Sequence, residues 1–70
     1  MKFIITKHAQ QRMDEREINI NEIRECINFP DYLIKKEDKF EAHKKINRKS
    51  LKIIYSHLGK FIKIITVIVK

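Results

Sequence analysis

The sequence predicts an α+β domain in which two N-terminal helices pack on a four-stranded antiparallel sheet, with a short N-terminal edge strand or extended lead-in. Three observations carry this reading. Residues 7–28 hold apolar positions at helical spacing between recognisable cap signals. Residues 31–69 switch to strand-like segments rich in β-branched residues, separated by short polar turns. The chain has 70 residues, enough for one domain with a radius of gyration of about 11 Å. A domain of that size buries only about 60% of its unfolded surface, so every element must contribute to one core.

The elements follow in order. Lys2 to Thr6 is short and β-prone and reads as the edge strand or lead-in. Thr6 suits the N-cap of a first helix over Lys7 to Arg16. A second helix starts at Asn19, with Glu22 three residues on as the partner of a capping box. Ile18 and Ile23 are spaced for a hydrophobic staple. This helix runs to about Asn28, buries Ile20, Ile23 and Ile27, and ends before Pro30, which pushes Phe29 towards extended geometry. Cys26 sits beside that stripe and reads as a small packed residue, with no cation nearby to activate it.

From Asp31 the period changes. Tyr32 to Lys36 reads as a strand and Glu37-Asp38-Lys39 as a turn. Phe40, Ala42 and Ile46 then alternate with Glu41, His43 and Lys45, with Lys44 interrupting the apolar face. Asn47 to Ser50 is the next turn, Leu51 to Ser56 a strand, His57 to Lys60 a turn with the one glycine of the chain, and Phe61 to Val69 the last strand. That last strand is apolar on both faces and must be central or shielded, because an open apolar edge invites aggregation.

The charge is unevenly placed. Sixteen Lys and Arg stand against nine Asp and Glu, a net +7, and residues 31–70 carry the whole surplus. A polyanion, nucleic acid first, is the partner this predicts, against the plain alternative of lysines kept for solubility. The single cysteine rules out an internal disulfide and suits a reducing compartment. No leader segment is visible, and the longest apolar run is interrupted by Lys63 and far shorter than the roughly 20 residues a bilayer needs. A cytoplasmic protein with no membrane association is therefore expected.

The stretch richest in chemistry is His8-Ala9-Gln10-Gln11-Arg12-Met13-Asp14-Glu15-Arg16. On a helix with His8 at zero, Arg12 falls at about 40° and Arg16 at about 80°, one cationic ridge. Ala9 and Met13 fall at roughly 100° and 140°, an apolar strip beside it. A helix that buries the strip holds the ridge at the rim of its packing surface, where a cleft against the sheet would lie. A neutral imidazole there can accept a proton from a hydroxyl next to a bound phosphate, and two guanidinium groups suit the phosphate itself. The competing readings are a histidine that merely caps the helix and arginines paired to Glu15 or Asp14. His43, Lys45, Arg48 and Lys52 are candidate phosphate ligands if their face is concave, and ordinary surface charges if it is not. Tyr55 and Thr66 place hydroxyls inside the two most apolar strands, either for a cleft floor or for cross-strand packing. The three histidines are dispersed and no ligand cluster or glycine-rich phosphate loop is present, so neither a metal nor a cofactor is expected.

His8-Ala9-x-x-Arg12-Met13-x-x-Arg16-x-Ile18, followed by the capped helix, Pro30 and a terminal Thr66-Val67 strand, resembles a family of small uncharacterised bacterial and archaeal domains. That family looks like a branch of the RelE/ParE-like toxin superfamily, which also holds BrnT-like toxins. The resemblance spans most of the chain, and the first motif is its most specific part. It implies N-terminal helices on a four-stranded antiparallel sheet. It also implies metal-independent RNA cleavage by a toxin of a toxin–antitoxin system. By the resemblance, His8 is the acid or base, Arg12 and Arg16 hold phosphate, and Thr66 on the last strand completes the catalytic set. Where the motif family commonly carries glycine, this chain has Glu17.

The expected function is thus a small endoribonuclease, with RNA, free or on the ribosome, as substrate and an acidic antitoxin as protein partner. The alternative is a non-catalytic basic module that binds nucleic acid or inhibits a topoisomerase such as gyrase. A third reading has the apolar last strand complete a partner's sheet, and it predicts a dimer.

Overall fold

In the computed structural model, which describes residues 2–70, the chain runs β1 (Lys2–Ile5), α1 (Lys7–Arg16), α2 (Ile20–Asn28), β2 (Tyr32–Lys36), β3 (Lys39–Ile46), β4 (Lys49–Leu58) and β5 (Phe61–Val69). The strands form one sheet in the order β1-β5-β4-β3-β2. The helices cover one face of it, α1 against β5 and α2 against β3 and β4.

The caps explain where the helices begin and end. Thr6 Oγ1 accepts from the Ala9 amide at 3.1 Å, which starts α1. Asn19 and Glu22 form the complete capping box at the start of α2, each side chain accepting from the other residue's amide. Between the helices, Glu17 takes the left-handed conformation at φ 55°. Its amide donates to Asp14 O, and the Ile18 amide donates to Met13 O at 2.9 Å. This is the Schellman pattern, and the two residues it brings together, Met13 and Ile18, are both buried.

The expected four-stranded antiparallel sheet is corrected to a five-stranded mixed one. β2 to β5 form the antiparallel meander, but β1 joins as a full strand and pairs with β5 in parallel, from Lys2 opposite Phe61 to Ile5 opposite Ile64. The reason is the apolar last strand. β5 cannot leave its outer edge open, and β1 covers the first half of that edge while α1 lies against β5. The three turns of the meander are also tighter than expected, with Glu37-Asp38 alone joining β2 to β3. Asn47 and Arg48 alone join β3 to β4, both at positive φ, and Gly59-Lys60 joins β4 to β5 with Gly59 at φ 61°.

The core lies between helices and sheet. Ala9, Met13, Ile18, Ile23, Cys26 and Ile27 from the helical segment meet Ala42, Ile46, Leu51, Ile53, Tyr55, Ile62, Ile64 and Val67 from the strands. Lys44, which interrupts the apolar face of β3, does so for a purpose. Its ammonium donates to the Phe29 carbonyl at 2.7 Å, just past the end of α2, and lies 3.7 Å from Asp31. The radius of gyration is 10.9 Å. Among the described residues no helix is long and apolar enough to cross a membrane.

Candidate functional site

The site follows from where β1 stops. Its pairing with β5 ends at Ile64, where the Thr6 amide still donates to the Ile64 carbonyl at 3.2 Å. Here the β4–β5 register also slips: Tyr55 faces Ile64 but Ile54 faces Thr66, so Ile65 is an extra residue in β5. Thr6 Oγ1 donates to the Ile65 carbonyl at 3.0 Å and pins this bulge to the start of α1. Beyond it the outer edge of β5 carries no strand, and a groove of about 370 Å³ opens between that edge and α1.

His8, Arg12 and Arg16 line the groove from α1, and Thr66 to Val69 line it from β5. Burial of Ala9 and Met13 sets this orientation, because the ridge lies one helical step from the buried strip. His8 Nε2 is hydrogen-bonded to Thr66 Oγ1 at 3.0 Å across the groove. Arg12 lies 3.6 Å from Glu15, with both side chains about half exposed, a contact that leaves the guanidinium free to exchange partners. Among the described residues Arg16 makes no ion pair. An imidazole tied to a hydroxyl, with two guanidinium groups along the same wall, can seat a phosphate and move a proton beside it.

The remaining candidates divide. His43, Lys45 and Lys52 line a second hollow, of about 250 Å³, on the sheet face away from the helices, with Asp31, Tyr32, Lys44, Ser50 and Lys70 around it. Arg48 sits in the exposed β3–β4 turn and lines neither hollow. Tyr55 is buried on the helix side, stacked on Phe40 with ring centroids 5.4 Å apart, and burial pushes its phenol pKa up. Its ring fills the core and reaches neither hollow.

Sequence reasoning missed Glu41. It lies on the open face of β3 between Ile34 and Ile54, yet is only 8% exposed. Lys36 Nζ reaches its carboxylate at 3.1 Å, and Lys52 Nζ and His43 Nε2 at 3.6 Å. The hydrogen bond from Lys36 is the main reason its carboxyl is held below the usual range, with Lys52 and His43 adding to it and partial burial opposing. Tyr32 covers His43 in a parallel stack, centroids 4.3 Å apart and planes 11° from parallel. The one available signal was an acidic residue sharing a strand face with His43 in a basic segment. Cys26 is fully buried, its thiol donating to the Ala42 carbonyl at 3.4 Å, and burial raises its pKa to about 11. It takes no part in either hollow.

Among the described residues no group of three or more His, Cys, Asp and Glu is placed to hold a metal ion. A family described as a domain of unknown function (DUF4258) matches residues 5–69. No curated protein and no solved structure matches the chain.

Proposed function

The chain belongs to the DUF4258 family, and we propose that it is an RNA-cleaving toxin of a toxin–antitoxin system, working through side chains without a metal. The observation that carries the reading is the hydrogen bond of 3.0 Å between His8 Nε2 and Thr66 Oγ1, in a groove walled by Arg12 and Arg16. Thr66 holds the imidazole across the groove by accepting from Nε2–H, which leaves the Nδ1 lone pair free to serve as the base. His8 takes the proton of the 2′-hydroxyl, and the 2′-oxygen attacks the adjacent phosphorus. The bond to the 5′-oxygen breaks, and that oxygen takes a proton from water in the open groove. Arg12 and Arg16 stabilise the charge on the phosphorane. The products are a 2′,3′-cyclic phosphate and a 5′-hydroxyl, and His8 returns its proton to solvent. The surplus of positive charge in residues 31–70 supports the same reading, as does the resemblance of the His8–Ile18 motif to a family of small domains that looks like a branch of the RelE/ParE-like toxins. An acidic antitoxin that covers the groove in the cytoplasm completes the proposal.

One observation favours a second reading. The groove holds a single imidazole and no other acid or base among its lining residues, which suits a module that binds nucleic acid without cutting it. Incubating a mixed RNA pool with the protein in EDTA, beside His8→Ala and Arg12→Ala, separates the two. Cleavage leaving cyclic-phosphate ends, and lowered about 10²–10⁴-fold by His8→Ala, is expected. RNA bound equally by all three proteins and left intact would replace the nuclease with the binding module.

A further inference from the structure

Cross-strand pairing sets the second hollow beside the first, with Lys52 of one opposite Ile68 of the other. Strand register places Ile68, Lys52, His43 and Tyr32 on one rung across β5, β4, β3 and β2. Ile68 lines the His8 groove, and the other three line the hollow on the open face. Three strand steps of about 4.8 Å separate the ends, roughly 14 Å in all. On this rung a basic side chain is followed by a stacked pair of flat rings. Tyr32 remains 57% exposed although one of its ring faces is covered by His43, so its other face is open. Lys45 stands on the same face as His43, one pairing step from Ser50, and its ammonium makes no ion pair among the described residues. The stack is built in and not a chance contact of two surface rings. His43 Nε2 is buried without a hydrogen-bond partner and lies 3.6 Å from the Glu41 carboxylate, and Lys36 and Lys52 fix that carboxylate from two sides.

We propose that this rung is a subsite for single-stranded RNA: a base stacks on Tyr32, Lys45 holds the phosphate beside it, and the strand runs from there into the His8 groove. The inference rests on the nuclease reading for its direction, but the subsite stands or falls on binding alone. Single strands are held by such a combination because every base has a flat face and every linkage a charge, while duplex RNA offers no unstacked base to the ring. Asp31 and Glu41 are the acidic groups nearby. Each lies within 4 Å of a lysine ammonium, Lys44 and Lys36 respectively, so neither opposes the phosphate with a bare charge.

The test uses a fluorescent 2′-O-methyl octauridylate, which lacks the attacking hydroxyl and cannot be cut. Its affinity is measured by anisotropy over a salt series for the native chain, Tyr32→Ala, Lys45→Ala and Lys60→Ala. Lys60 carries the same charge in the β4–β5 turn at the other end of the sheet. Tyr32→Ala is expected to weaken binding at least about fivefold, the low end for a base on an aromatic ring. Lys45→Ala should reduce the salt slope by about 0.7, one phosphate contact on a single strand. Lys60→Ala should do neither. Native affinity in both Tyr32→Ala and Lys45→Ala, or an equal loss with Lys60→Ala, overturns the subsite. So does a native chain that ignores the oligonucleotide but binds an acidic peptide, which would make the rung a protein contact. None of these outcomes depends on cleavage, so loss of the nuclease and loss of the subsite are read separately.

Discussion

Thr6 joins the fold to the site, and replacing it separates two roles of one hydroxyl. Its Oγ1 accepts from the Ala9 amide at 3.1 Å and donates to the Ile65 carbonyl at 3.0 Å. Thr6→Ala removes the cap of α1, about 0.5–2 kcal/mol. It also removes a part-buried hydrogen bond to the bulge, about 0.5–1.5 kcal/mol. Together these come to about 1–3.5 kcal/mol, a large share of the whole stability of a small domain at about 0.05–0.15 kcal/mol per residue. At about 4–8 °C per kcal/mol for this size, the melting temperature should fall by about 4–28 °C. Thr6→Ser keeps both hydrogen bonds and should melt much closer to the native chain. Because His8 lies two residues past the cap and Thr66 one residue past the bulge, the site should suffer along with the fold. Calorimetry on the three proteins, with RNA binding measured well below each melting point, checks both effects. A Thr6→Ala chain that melts within about 2 °C of native, or a Thr6→Ser chain that melts as low as Thr6→Ala, would refute the double role.

Two further outcomes follow from single residues. Glu41 has a lowered carboxyl pKa in the folded chain, so the unfolded chain binds the proton more readily. Its stabilisation is therefore complete above its ordinary value of about 4.5 and is lost as pH falls through the lower folded value. Urea denaturation from pH 7 to pH 3 should show Glu41→Gln less stable than native at pH 7, with the gap closing in acid. A gap that stays constant would show that the carboxylate charge is not what holds Lys36 and Lys52. Glu17→Gly should raise stability by about 0.5–1 kcal/mol, because relief of the left-handed backbone exceeds the added freedom of the unfolded chain. A lower urea midpoint in that variant would mean the Glu17 side chain contributes something its backbone does not.

Much of the fold was legible because local signals agreed with one another. Thr6, Asn19 and Glu22 marked both helix starts, and the structure begins α1 and α2 one residue after Thr6 and Asn19. Alternation in β3 separated Ala42 and Ile46 from Glu41 and His43 correctly. The fifth strand's place was not legible. Lys2 to Ile5 has a pattern that fits an edge strand or an extended lead-in equally, and nothing local tells a strand which partner it will take across some sixty residues. What decides it is a global need, the cover of an apolar strand edge. The β5 bulge was equally hidden, since Ile65 and Thr66 both read as ordinary strand residues.

The site divides along the same line. His8, Arg12 and Arg16 were visible because helical periodicity is a local rule, and burial of Ala9 and Met13 then fixes where the ridge points. Thr66 shows how local and global information combine. Its residue type marked it as unusual within Ile64-Ile65-Thr66-Val67-Ile68, but only the end of β1 and the bulge bring its hydroxyl to His8. Tyr55 carried the same mark in β4 and lies in the core, because β4 has a strand on both sides and no free edge to present a hydroxyl. A polar residue in an apolar strand is therefore a candidate for chemistry mainly where the sheet stops. In this chain the sheet stops beside Thr66 because β1 is only four residues long. Extending β1 would cover the rest of β5 and close the groove. The shortness of the first strand is thus as much a part of the candidate site as the histidine that faces it.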